Sequence, residues 1–382
     1  MPLTHQTGQF VQSQTDQSCI RLELGQPSPQ LLPLEKISVA ATAMFHHEQD
    51  PLLLQYGAVT GHLGFRRQLA GFLQRQLGRE VRPERLMATG GNSQALSMVA
   101  QLLANCGDTV VVEDPSYFLV QKIFSDAGLR IESVAVDEQG LVVDQFEESL
   151  HGGSRPRLLY LIPNHQNPTG CCLSQARALR LLQLADEFDF TIVCDNPYAL
   201  LWYGEAVRDC FGQEIGRHPR LLDLGSFSKI LAPGLRLGWI EASEEMIARL
   251  SAFGVARSGG AINPPSSVIV ERLLDSGAQE EHLLLLRQTL SKRKATLCEK
   301  LRNSLPDLKF SEPQGGYFVW LDLGEGVNAL KLQERAVELG VSFMPGERCA
   351  LTIDARCFAR LSFAFYRENE LEMAVERFQK LF

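Results

Sequence analysis

The chain has 382 residues, of which 45% are apolar and 21% charged, and a formal net charge of −8. It is longer than one typical domain, long enough to bury a substantial core, and has the balance of a soluble globular protein. The acidic charge leaves no footprint for nucleic acid or anionic lipid, and no apolar run is long enough to cross a bilayer, so chemistry on a small molecule is the default expectation.

Met1 to Gln17 is polar and lacks a basic stretch followed by an apolar core, so no secretory leader is expected. The nine cysteines show no C-x-x-C spacing, even at Cys171-Cys172. They read as reduced thiols of a cytoplasmic protein, with no metal site among them.

Ile20 to Leu24 alternates like a strand and breaks at Gly25-Gln26-Pro27-Ser28-Pro29. Helical periodicity runs from Pro33 to Ala43. His46 and His47 are adjacent, a poor pair for a metal on a helix, and are expected at the surface. Gln55-Tyr56-Gly57 precedes Gly61-His62-Leu63-Gly64-Phe65-Arg66.

Arg85 to Thr89 reads as a strand, after which Gly90-Gly91-Asn92-Ser93 opens a helix from Gln94 to Leu103. Such a junction offers free N–H groups to an anion, although Ser93 is equally explained as an N-cap. The motif is not G-x-G-x-x-G, so a dinucleotide reading fails. Thr109 to Glu113 is a β-branched strand leading to Tyr117. Leu158 to Ile162 leads to Asn164-His165-Gln166-Asn167-Pro168-Thr169-Gly170, and Phe190 to Cys194 leads to Asp195, with Tyr198 three residues later. His165 is read either as lining a pocket or as packed or exposed locally.

Arg220 to Leu224 and Leu235 to Ile240 are strand-like and bracket Gly225-Ser226-Phe227-Ser228-Lys229-Ile230-Leu231-Ala232-Pro233-Gly234. Lys229 is therefore expected in a turn. Burial there lowers a lysine toward the neutral amine that attacks an aldehyde, while Ser226, Ser228 and Arg236 supply the donors a phosphate monoester needs. An ordinary polar loop remains the alternative from S-x-S-K alone.

Further on, Asn263 caps a helix that begins with Pro264-Pro265, and Glu280 to Asn303 reads as one long helix. Pro313 to Leu321 is a glycine turn and strand. Arg360-Leu361-Ser362-Phe363-Ala364-Phe365 sets an arginine at the head of an apolar strand.

In the ordered set N-P-T-G, D-x-x-Y, S-x-S-K-x-x-x-P-G-x-R-x-G and R-L-S-F-A, the sequence resembles the fold-type I, pyridoxal phosphate-dependent aminotransferases of class I/II. It is similar above all to the branch of kynurenine, 2-aminoadipate and aromatic or broad-range enzymes. The likeness covers nearly the whole chain; Phe65 stands where leucine is usual and His165 where an aromatic residue is common.

The resemblance implies an aminotransferase that moves an α-amino group between an L-amino acid and a 2-oxo acid. Lys229, Asp195 and Tyr198 are then catalytic. Ser93, Gln94, Tyr117, Asn167, Ser226, Ser228 and Arg236 join them around pyridoxal 5'-phosphate, with Tyr56 reaching the phosphate of a neighbouring subunit in a homodimer. Arg360, Asn167 and Gly25 face the substrate. β-Elimination or another pyridoxal phosphate-dependent reaction of an α-amino acid on the same scaffold, and a non-catalytic coenzyme-binding sensor, are the rival functions.

Alternating strands and helices from about residue 60 to 260 argue for an open, mainly parallel α/β sheet with helices on both faces, accompanied by a smaller α+β domain. The expected division is an N-terminal arm and part of the small domain at 1–45, a large coenzyme-binding domain at 46–280 and a small C-terminal domain at 281–382. No distal carboxylate partner is identifiable, Arg21 and Arg257 being candidates only.

Overall fold

In a computed structural model, residues 18–48, 51–205, 209–260 and 263–382 are described; the Met1–Gln17 segment read for a leader lies outside them. An eight-stranded sheet organises the chain, in the order Leu86–Thr89, Gly238–Glu241, Leu221–Ser226, Thr191–Asp195, Pro156–Leu161, Thr109–Asp114, Arg130–Asp137 and Gly140–Leu141. The strands from Leu221–Ser226 to Arg130–Asp137 are mutually parallel. Gly238–Glu241 runs antiparallel to both neighbours and Gly140–Leu141 antiparallel to its one neighbour.

Period-two alternation divides these strands between two apolar layers. Val110, Val112, Leu158, Tyr160, Val193, Leu222 and Leu224 pack on one face with the helices Asn92–Leu103 and Glu244–Ser251. Val111, Leu159, Leu161, Ile192, Cys194 and Leu221 pack on the other with Val143–His151 and Gln175–Phe188.

A separate four-stranded antiparallel sheet is built in the order Lys309–Phe310, Phe318–Asp322, Phe358–Ser362 and Met344–Pro345. Ile20–Arg21 pairs in parallel with Val341–Ser342, tying the start of the described chain to its last quarter. The long helix spans Ala278–Ser304, and Leu283, Leu286 and Leu290 share one core with Phe227, Phe318 and Phe363.

Four local expectations are corrected. The strand expected over Ile20–Leu24 is only Ile20–Arg21, because its neighbour Val341–Ser342 offers two paired residues. The helix after Gly90-Gly91 starts at Asn92, so Ser93 lies inside its first turn and is not the N-cap. Lys229 sits on a four-residue helix, Phe227–Ile230, instead of a turn; the Ser226 hydroxyl accepts from the Ser228 N–H at 3.1 Å and starts it. Leu235 ends a 3-10 turn, and Arg236 adopts a left-handed φ of +47° before the strand begins at Gly238.

Candidate active site

A cavity of about 410 Å³ opens at the C-terminal ends of the parallel strands, the usual ligand position in open α/β sheets. Strand ends deliver Asp195 and Ser226, and the connections after Asp114 and Leu161 deliver Tyr117 and Asn167. The Arg21–Gln26 segment, Phe318, Met344 and Arg360 close it from the other side.

Lys229 donates from Nζ to the Gly25 carbonyl at 2.6 Å, and its Nζ is 5.7 Å from the centre of the Tyr317 ring. Burial, reinforced by the nearby Arg360 guanidinium, lowers its amine to about 8, against the opposing pull of Asp195. A buried lysine in this range is an accessible nucleophile and proton carrier near neutral pH.

Asp195 accepts from Asn92 Nδ2 at 2.6 Å and from the Tyr160 hydroxyl at 2.9 Å. Burial raises its carboxyl, and the two hydrogen bonds oppose that shift by favouring the anion. Tyr198 is buried, its ring packed against Tyr317 and Phe318, and burial keeps its phenol protonated as a donor. Tyr117 is likewise pushed up to about 12 by burial.

Arg360 is buried and held on three sides. Nη1 donates to Asn167 Oδ1 at 2.8 Å, Nη2 donates to the Glu23 carbonyl at 2.8 Å, and the Phe318 ring lies 4.1 Å from the guanidinium carbon. At the other end of the set, Arg236 donates to the Gly90 carbonyl at 3.0 Å and, at 3.4 Å, to the Ser228 hydroxyl. Gly91 makes this approach possible: its φ is +90°, and a Cβ there would stand 2.9 Å from Arg236 Nη2.

One cavity thus gathers a buried amine, a buried carboxylate, a cluster of three serines with an arginine, and a second, deeply set arginine. The sequence profile described as "Aminotransferase class I and II" matches residues 18–378. The chain belongs to the class I and II aminotransferases. It is 32% identical to an aromatic-amino-acid aminotransferase of Thermococcus litoralis, over 94% of this chain and 86% of the relative, and 33% identical to a 2-aminoadipate transaminase of Thermus thermophilus, over 92% and 87%. A multiple substrate aminotransferase from Thermococcus profundus superposes with a TM-score of 0.87 at 31% identity, covering 96% of this chain and 92% of that one.

Within this aminotransferase the cavity brings together Gly25, Ser93, Tyr117, Asn167, Asp195, Tyr198, Ser226, Ser228, Lys229, Arg236 and Arg360. Two expected residues are not in its lining. The Gln94 side chain accepts from the Gly90 N–H at 3.2 Å and faces a separate small crevice, and Tyr56 is 85% exposed in the single chain. Of the two candidate distal arginines, Arg21 lines the cavity, while Arg257 is exposed on the helix Gly254–Gly259.

His165 belongs to the packing alternative. It is buried with a φ of +51°, and its ring packs where a Cβ on Gly315 would overlap it. Burial lowers its imidazole to about 4, leaving it neutral. His46 is exposed, as expected. Sequence reasoning missed Asn92 and Tyr160 as partners of Asp195, and Glu23 as a wall residue; Asn92 had a signal, since it stands in the glycine turn opening the helix.

Proposed function

We propose that this cavity binds pyridoxal phosphate at Lys229 and that the protein uses it to transfer amino groups between an L-α-amino acid and a 2-oxo acid. An orphaned acceptor and an orphaned donor support the fit. Among the described residues, Asn92 Oδ1 and Arg360 Nε are buried without hydrogen-bond partners. The cavity volume also lies in the range of small-molecule sites.

In this reading Ser93, Ser226, Ser228 and Arg236 hold the phosphate beside the N-terminus of the helix Asn92–Leu103, where N–H groups and the helix dipole favour an anion. Asp195 would set a negative charge against the ring nitrogen, and Tyr117 would offer an aromatic face to the ring. Tyr198 and Asn167 would hold its phenolic oxygen through their O–H and N–H groups. When bound, pyridoxal phosphate supplies the electron sink that lets a Cα–H bond break.

Lys229 Nζ would hold the coenzyme covalently, and as a free amine it would carry the Cα proton. Its amine, lowered to about 8, is suited to both tasks. Arg360 grips the α-carboxylate with its guanidinium fork and so orients Cα toward Nζ. Fixing the carboxylate favours loss of the proton over decarboxylation.

The working unit in this proposal is a homodimer. Tyr56, Leu52 and Leu54 are strongly exposed in one chain, and Tyr56 completes the neighbouring subunit's phosphate site. All nine cysteines are free, which supports a cytoplasmic setting. Among the described residues no helix is long and apolar enough to cross a membrane.

The observation that carries the proposal is the buried Lys229 amine facing Asp195 and Arg360 in one cavity. The test is incubation with pyridoxal phosphate, a panel of amino donors, and 2-oxoglutarate or pyruvate. Equal amounts of new oxo acid and new amino acid support transamination, whereas ammonia release with pyruvate from a cysteine conjugate identifies β-elimination.

A further inference from the structure

One ion pair in the cavity wall has no part in attaching or orienting the coenzyme. Arg21 Nε donates to Glu23 Oε1 at 2.7 Å, and both residues line the same cavity as Lys229 and Arg360. They reach it together because alternate residues of the arm, Ile20, Leu22 and Leu24, are buried in the core.

The two partners are unequal. The Glu23 side chain is 13% exposed against 39% for Arg21, and Glu23 Oε2 is buried with no hydrogen-bond partner among the described residues. The Glu23 backbone meanwhile accepts from Arg360 Nη2 at 2.8 Å, so its carboxylate belongs to the residue that touches the proposed α-carboxylate clamp. The negative charge of Glu23 is felt at both guanidinium groups.

A buried carboxylate oxygen without a donor carries a desolvation cost that an incoming N–H or O–H relieves. A second carboxylate arriving there meets the opposite situation: like charge from Glu23, and an arginine already engaged. We propose that Glu23 makes the site select amino acids whose side chain ends in a neutral or cationic hydrogen-bond donor, and disfavour those ending in a carboxylate. This inference rests on the aminotransferase reading above. It makes Glu23 a specificity residue for the amino substrate, with Arg21 setting the carboxylate's position.

Glutamine and glutamate, matched in length and shape, provide the test. Their kcat/KM values, each divided by that of alanine in the same protein, are compared in the wild type, Glu23→Gln and Arg21→Gln. The wild type is expected to prefer glutamine by at least about tenfold, E23Q to shift the ratio toward glutamate by at least about tenfold, and R21Q to shift it further toward glutamine. Calorimetric titration with glutarate and with its monoamide gives the same comparison without turnover, and E23Q should bind glutarate more tightly than the wild type does. A glutamine-to-glutamate ratio in E23Q within about twofold of the wild type, with glutarate binding unaltered, overturns the inference. If alanine is transaminated while that happens, only this inference fails; if no amino acid is transaminated by the wild type, the functional reading fails with it.

Discussion

Arg360 and Asn167 are 193 residues apart in sequence and meet through a 2.8 Å hydrogen bond from Nη1 to Oδ1. The bond joins the small antiparallel sheet to the loop after the strand Pro156–Leu161. Lysine at position 360 keeps the charge but has no fork to reach Asn167 and Glu23 together. R360K is expected to lower kcat/KM for amino acids by about 10- to 100-fold, mostly through KM, as the loss of about 1.5–3 kcal/mol of charge-assisted bonding requires. Steady-state kinetics with alanine and a 2-oxo acid check it.

The Gly25 carbonyl and Lys229 Nζ stand 2.6 Å apart in a cavity that lowers the amine to about 8, chiefly by burial and next through Arg360. In coenzyme-free protein, acylation of Lys229 followed by peptide mass spectrometry should therefore rise with a midpoint near pH 8. An ordinary lysine rises near 10.5. Arg360→Met should move the midpoint upward, since it removes a neighbouring cation.

Asp114 clamps the large sheet to a distant loop. Its carboxylate accepts from the N–H groups of Leu351 at 2.9 Å, Thr352 at 2.7 Å and Ile353 at 3.1 Å, and from the Thr352 hydroxyl at 2.8 Å. Asp114→Ala strips several donors of their acceptor at once and is expected to cost about 2–3 kcal/mol of stability, read from urea denaturation. Asp114→Asn should cost less.

Glu113 gives the protein a pH-dependent stability term. It is buried, accepting from the Ile162 N–H at 2.9 Å and from Gln166 Nε2 at 3.2 Å, and burial pushes its carboxyl up to about 8. The folded state thus holds a proton that the unfolded chain releases near 4.5. The contribution is fully present below the unfolded value and is lost as pH rises through the folded one, at up to about 1.4 kcal/mol per pH unit. Denaturation midpoints measured between about pH 5 and 8 should fall less steeply in Glu113→Gln than in the wild type.

Much of this site was legible because its residues come in short local strings at strand ends. Asn167, Asp195, Tyr198, Ser226, Ser228 and Lys229 all follow apolar runs whose exit points can be read directly. Contacts made by topology were not legible. Asn92 reaches Asp195 across 103 residues, and Tyr160 looks like a core strand residue until its hydroxyl is found on the same carboxylate. The arm was read as a strand followed by a turn. Its role in receiving Lys229 and Arg360 through the Gly25 and Glu23 carbonyls depends on pairing with Val341–Ser342, more than 300 residues away. The sheet was read correctly as mainly parallel, but the left-handed Arg236 that delays the strand at Gly238 donates to the Gly90 carbonyl, a tertiary contact 146 residues back in the chain, as well as to the nearby Pro233 carbonyl.

The most direct measurement is borohydride reduction of the protein loaded with pyridoxal phosphate, followed by peptide mass spectrometry. The account predicts one pyridoxyl adduct, on Lys229, that disappears in Lys229→Ala along with turnover. An adduct fixed on another lysine, or a Lys229→Ala protein that still transaminates at the wild-type rate, would contradict it.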